Sequence, residues 1–156
     1  MDTRWKPNVT VAAIIERDGR YLLVEEHTPD GLRLNNPAGH LDPGESPQAA
    51  CAREALEETA HVFEPTALVG LYLVHAGAPG SGTTYLRLAY AGELGALQPG
   101  RALDDGIVRT VWLSYEQLEA CAERHRSPAV LACIRDHRAG RRFPLDLVHT
   151  HPSAIY

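Results

Sequence analysis

Residues 38–62 read AGHLDPGESPQAACAREALEETAHV. A loop broken by Gly39, Pro43 and Gly44 runs into Ser46-Pro47. Serine caps orphan N–H groups at a helix start, and proline suits the first helical position, where its missing N–H costs little. The spacing predicts a helix over Gln48 to Thr59. At about 100° per residue, Glu54, Glu57 and Glu58 share one side, because positions i, i+3 and i+4 lie on one face. Ala49, Ala52, Leu56 and Thr59 fall opposite, an apolar stripe expected to pack on a sheet. Like charges so spaced repel by about a few tenths of a kcal/mol. A solvated acidic face is the ordinary reading of such a helix. The loop ahead of it offers backbone carbonyls beside the carboxylates, and an all-oxygen set suits a hard cation, Mg²⁺ or Mn²⁺.

Working outward, Val9 to Glu16 is a Val/Ile-rich strand, Asp18-Gly19 a turn, and Tyr21 to Glu26 a second strand, read together as a hairpin. Pro29, Gly31, Pro37 and Gly39 mark the stretch before the helix as loop. Leu68 to His75, Thr84 to Leu94 and Ile107 to Leu113 read as strands. Ser114 with Gln117 forms a capping box that opens a helix to about Arg124. Ser127-Pro128 opens another, ending near Gly140, and Phe143 to Val148 is expected as a last short strand. With 156 residues and no internal repeat or linker, the chain is expected to be one domain, residues 1–156, of α/β (α+β) class.

The 38–62 segment resembles the Nudix box, G-x5-E-x7-R-E-U-x-E-E-x-G-U, where U is a bulky aliphatic residue. Gly39, Glu45, Arg53, Glu54, Glu57 and Glu58 fall in register. Ala60 stands in place of the final glycine, His61 in place of the last aliphatic residue, and Ala55 is a small version of the first. A glycine there suits a left-handed residue closing the helix, which costs alanine about 1 kcal/mol. Lys6 to Ala12 (KPNVTVA), Asn35 to Leu41 (NNPAGHL) and Arg126 to Pro128 (RSP) resemble the NudJ-type phosphatase branch of that family.

The resemblance implies an α/β/α sandwich with a mixed β-sheet. It also implies metal-assisted attack of water on a phosphoanhydride in a small nucleoside or thiamine-type di- or triphosphate, with orthophosphate as product. Glu54, Glu57 and Glu58 match the family's metal ligands, and Glu58 or Glu57 its water-activating base. Glu45 and Arg53 match its structural ion pair, with Arg53 counted also among the catalytic residues. The Ala38 carbonyl is a further candidate ligand, and His40 and Asn36 are candidate substrate contacts. Asp104 and Asp105 lie where related enzymes carry a remote acid. An Asp-Asp-Gly run is also an ordinary turn, which is the favoured reading, with Asp105 as the candidate remote acid. His149 and His151 read as incidental, and Trp5, Tyr72, Tyr85 and Trp112 as packing residues rather than stacking platforms.

The remaining features bound the partners. A net charge of −5 argues against a nucleic-acid polymer, and the arginines at 135, 138, 141 and 142 do not make a groove. No apolar run approaches a membrane span, and the polar start lacks a secretory h-region. Three scattered cysteines, Cys51, Cys121 and Cys133, read as reduced thiols, so the cytoplasm is expected. The expected assembly is a monomer or homodimer. A nucleotide-binding sensor of the same fold without turnover is the alternative. Such a domain is expected to have lost box carboxylates, and all three stand here. A structural interaction module, the third reading, requires an exposed apolar patch.

Overall fold

The computed structural model describes residues 3–156. The elements are β1 (Asn8–Ile14), β2 (Glu16–Arg17), β3 (Arg20–Thr28), β4 (Gly31–Asn35), β5 (Ala38–His40), α1 (Pro47–Thr59), β6 (His61–Ala76), β7 (Thr83–Leu97), β8 (Ile107–Ser114), α2 (Tyr115–Ala120) and α3 (Ala129–Arg138). They build two sheets. One runs β5-β1-β7-β6 and is mixed, β1 and β7 being parallel and the other pairs antiparallel. The other holds β2, β3 and β4, with β8 paired to β3, all antiparallel.

Strand alternation gives the layers. Val11, Ala13 and Ile15 point to one face, with Leu88 and Tyr90 of β7, and meet Ala50, Cys51 and Ala55 of α1. Ile14, Ala89 and Ala91 point to the other and meet Leu118 of α2 and Val130, Cys133 and Ile134 of α3. The mixed sheet therefore lies between helices on both faces, the sandwich expected. No helix among the described residues is long and apolar enough to cross a membrane.

Four expectations are corrected. Val9 to Glu16 and Tyr21 to Glu26 do not form one hairpin. Val11 to Ile14 are buried on both faces as an interior strand, β1, in the mixed sheet. The chain changes sheets at Ile15, and only Glu16–Arg17 pair back onto β3 across the Asp18-Gly19 turn, where both residues have positive φ. The supposed loop carries β4 and β5, too short and too polar to show a period. Phe143 makes a two-way bridge to Leu68, but Pro144 has no N–H to continue it and a 3₁₀ turn follows at Leu145–Leu147. On α1 the buried side comprises Ala50, Cys51, Ala55, Glu58 and Thr59, while Ala49 is exposed. The helix is rotated from the expected stripe, and Glu58 packs inward.

The cap of α1 is as the sequence indicates. Ser46 Oγ accepts from Ala49 N at 3.1 Å. Ala60 is left-handed, φ 59° and ψ 14°, and donates its N–H to the Leu56 carbonyl. Ala60→Gly relieves about 1 kcal/mol of left-handed strain. It loses burial of one methyl, about 0.8 kcal/mol, and loosens the unfolded chain by about 0.4–1 kcal/mol. The terms nearly cancel, so Tm in a thermal melt should stay within about 3 °C of wild type. A larger drop would contradict the assigned cap.

Candidate active site

Helix α1 and edge strand β5 meet over Gly39. A Cβ at residue 39 would collide with the Glu54 carboxylate, so glycine lets that carboxylate rest against the strand. Arg53 fastens the intervening loop. Its Nε and Nη2 donate to both Glu45 oxygens at 3.0 and 2.7 Å. Nη2 also reaches the His40 carbonyl at 3.0 Å and Asp42 at 3.3 Å, while Nη1 donates to Glu54 at 2.8 Å and Glu57 at 3.2 Å. Glu45 in turn accepts from Asp42 N at 2.8 Å. The paired guanidinium holds the Glu45 carboxyl below its usual range. Arg53 spends its donors on protein oxygens, which makes it a positioning residue for the carboxylates.

Carboxylate oxygens of Glu54, Glu57 and Asp104 lie within 4.8 Å of one another. Asp104 arrives from the segment before β8, pinned by its own N–H to the Glu57 carbonyl at 3.0 Å. Asp105, the candidate acid of the pair, instead occupies the turn ahead of β8, the other reading of the Asp-Asp-Gly run, and is not in the cluster. The two differ because the backbone bond fixes residue 104 against the helix end, while Gly106 at φ 89° carries the turn outward.

Glu58 stands beside this cluster and is 5% exposed. Its Oε2 has no hydrogen-bond partner. Burial, then the charges of Glu26 and Glu54, push its carboxyl up to about 9, while the Ala38 N–H pulls the other way. Glu54 is also raised, chiefly by burial. A set of carboxylates this close, one of them buried with an orphaned oxygen, fits a divalent cation, whose charge would offset both the burial and the repulsion.

On the other face of β5 lies a pocket of about 290 Å³. Its lining includes Thr10, Glu26, His40, Tyr85, Arg87 and Arg126. His40 is thus where sequence put it, with its ring centroid 6.3 Å from that of Tyr85. Asn36 is not: it is 1% exposed and its Oδ1 accepts from Arg87 Nη1 at 2.6 Å, so it supports the pocket from behind. Tyr85, read as a packing residue, lines the pocket, and Trp5, also read as packing, is 68% exposed. Arg87, Arg126, Glu26 and Thr10 were missed. Only the period of β7 could have signalled Arg87, an arginine among the buried positions of an interior strand. His149 and His151 lie ring to ring, His151 bonds Ser153, and neither belongs to the acidic cluster.

The raised Glu58 has a consequence for stability. In the metal-free protein its folded-state value lies above that of the unfolded chain, so the folded state holds a proton the unfolded state has released between about pH 4.5 and about pH 9. Stability contributed by protonated Glu58 is therefore present at low pH and lost as pH rises through that window. Glu58→Gln should flatten the decline and raise Tm of the metal-free protein at pH 8. Equal slopes of Tm against pH in both proteins would contradict the assigned burial.

Comparison with known proteins places the chain. Residues 5–133 match the NUDIX domain model. The chain is 35% identical over 144 residues to Phosphatase NudJ of Escherichia coli strain K12, covering 92% of each. It is also similar to a NUDIX hydrolase from Nitrosomonas europaea, 50% identical with a TM-score of 0.87, covering 94% of this chain and 99% of that one. A MutT NUDIX hydrolase from Burkholderia pseudomallei shares the fold at 21% identity, TM-score 0.70, over 85% of this chain and 98% of that one. With the acidic cluster on its box helix and matches spanning almost its full length, this chain belongs to the Nudix family and is a Nudix hydrolase.

Proposed function

We propose that this enzyme hydrolyses a phosphoanhydride bond in a small di- or triphosphate, with nucleotides and thiamine-type pyrophosphates first among the candidates, and that it requires Mg²⁺ or Mn²⁺. The observation that carries the reading is the gathering of Glu54, Glu57 and Asp104 within 4.8 Å beside buried Glu58. An all-carboxylate set suits a hard, oxygen-seeking dication better than zinc. Such an ion supplies Lewis acidity to phosphate oxygens and to the attacking water.

The chain's own residues do the rest. Glu54, Glu57 and Asp104, with the Ala38 carbonyl, would hold the ion; Glu58, expected from the resemblance as a third helix ligand, lies outside that group of three, and Asp104 stands in its place. Glu58 takes the proton of the attacking water, with Glu57 as the second candidate. In the metal-free protein this carboxyl holds its proton up to about pH 9; the charge of a bound dication would favour the carboxylate, the form able to accept the proton. Arg53 and Glu45 fix the loop so that these groups keep their spacing. His40, on the pocket side of β5, contacts the phosphate chain. A sensor without turnover has less support, because every carboxylate the reaction needs is present and converges.

Three outcomes follow. Excess EDTA should abolish phosphate release from any phosphoanhydride, and Glu58→Gln at saturating Mg²⁺ should lower kcat by about 10²-fold or more. Near wild-type turnover by Glu58→Gln would remove it from the role of base. The third concerns the product. Similarity to a phosphatase over nearly the whole chain supports attack at the terminal phosphorus. With a nucleoside triphosphate in ¹⁸O-water, ³¹P spectra should show label in orthophosphate with nucleoside diphosphate as co-product. Pyrophosphate as the primary product would exclude terminal attack.

A further inference from the structure

The pocket beside the carboxylates is built around a buried cation. Arg87 is 7% exposed. Its Nη1 donates to Asn36 Oδ1 at 2.6 Å and its Nη2 to Asn35 Oδ1 at 2.9 Å; Cys133 Sγ lies 4.0 Å from Nη1. All three partners are neutral. Among the described residues no carboxylate lies within ion-pair distance of Arg87. The other arginine of the pocket, Arg126, is different: it is partly exposed and pairs with Glu26 at 3.0 Å. Asn35 Nδ2 donates to that same Glu26 oxygen at 3.2 Å, which fixes the Asn35 amide with its oxygen toward Arg87. A buried charge is costly unless it is paired, and amide dipoles only orient it.

Register places this cation relative to the acids. Thr10 of β1 is the cross-strand neighbour of His40 on β5 and of Arg87 on β7. The three line the same pocket. Two strand spacings, about 10 Å, separate the backbones of His40 and Arg87. One step along β5 from His40, Gly39 carries the Glu54 carboxylate on the opposite face. The site thus has an acidic end at the edge of the sheet and a cationic floor further in.

We propose that Arg87 is a specificity-determining residue whose guanidinium receives a second anionic group of the substrate, the phosphate that is not attacked. This rests on the phosphoanhydride reading above and narrows it. The preferred substrates carry an anionic group beyond the phosphate that is attacked, and Asn35 and Asn36 hold the guanidinium in place without neutralising it.

The test uses the full chain and inorganic phosphate as probe, in EDTA, so that binding is read without turnover. Phosphate titration should shift the Asn35 and Asn36 side-chain amide resonances saturably, and chloride at equal ionic strength should not. Arg87→Gln should weaken the phosphate Kd by about 10- to 100-fold, and Arg87→Lys should recover part of it. Thr10→Asp, which sets a carboxylate beside an intact Arg87, should abolish binding as well, and so guards against misfolding of the arginine variants. In Mg²⁺, Arg87→Gln should raise KM for a nucleoside diphosphate or triphosphate more than it lowers kcat. Unchanged phosphate affinity in folded Arg87→Gln would overturn the proposal. So would lost phosphate affinity with unchanged KM, which would make the anion a free phosphate instead of part of the substrate. If wild type bound phosphate through Arg87 but hydrolysed no phosphoanhydride, the catalytic reading alone would fall.

Discussion

The guanidinium of Arg53 joins four carboxylates and one backbone carbonyl, and the site depends on that junction. Glu45 and Asp42 come from the loop, Glu54 and Glu57 from the helix, and the His40 carbonyl from the edge strand. Without a shared cation these groups would repel, and the loop would have no reason to lie against the helix. The planar fork of arginine meets Glu45 with two parallel bonds, a geometry that lysine cannot supply. Because Arg53 is nearly consumed in this way, it orients the acids while leaving Glu58 uncompensated.

That remaining imbalance is what turns a scaffold into a site. Glu58 packs inward between the helix and β5 with one oxygen unpartnered, so folding places a group there that is more stable neutral than charged. Asp104, drawn in by a backbone bond to the helix end, adds negative charge to the same locality. A dication bound beside these groups, as proposed, would offset both the burial of Glu58 and the repulsion among the carboxylates. Across β5 the sign reverses at Arg87, giving the pocket a polarity suited to an elongated polyanion held at both ends.

Much of this was legible in the sequence, and the gaps have physical causes. The helix could be read because its cap and its spacing are local, whereas its left-handed stop at Ala60, where alanine replaces the family's glycine, was left open by the sequence. The Glu45–Arg53 pair followed from the family pattern, and the ion pair is formed. The inward rotation of Glu58 could not be read: small alanines on several sides of α1 leave its buried face underdetermined. Choosing Asp104 over Asp105 needed a hydrogen bond between segments far apart in the chain. The hairpin was misassigned because a good turn signal specifies a reversal without saying how far the pairing continues. The Arg87 pocket draws on β1, β3, β4, β5, β6, β7 and α3, and no short motif encodes that meeting.

The central claim is that Glu54, Glu57 and Asp104, beside Glu58, form one dication site. Anomalous diffraction from crystals soaked in Mn²⁺ tests it directly. The account expects a peak within coordination distance of the carboxylates of Glu54, Glu57 and Asp104, lost when Asp104 is replaced by Asn together with Glu57→Gln. A peak that excludes Asp104, or none at Mn²⁺ concentrations that saturate turnover, would contradict it.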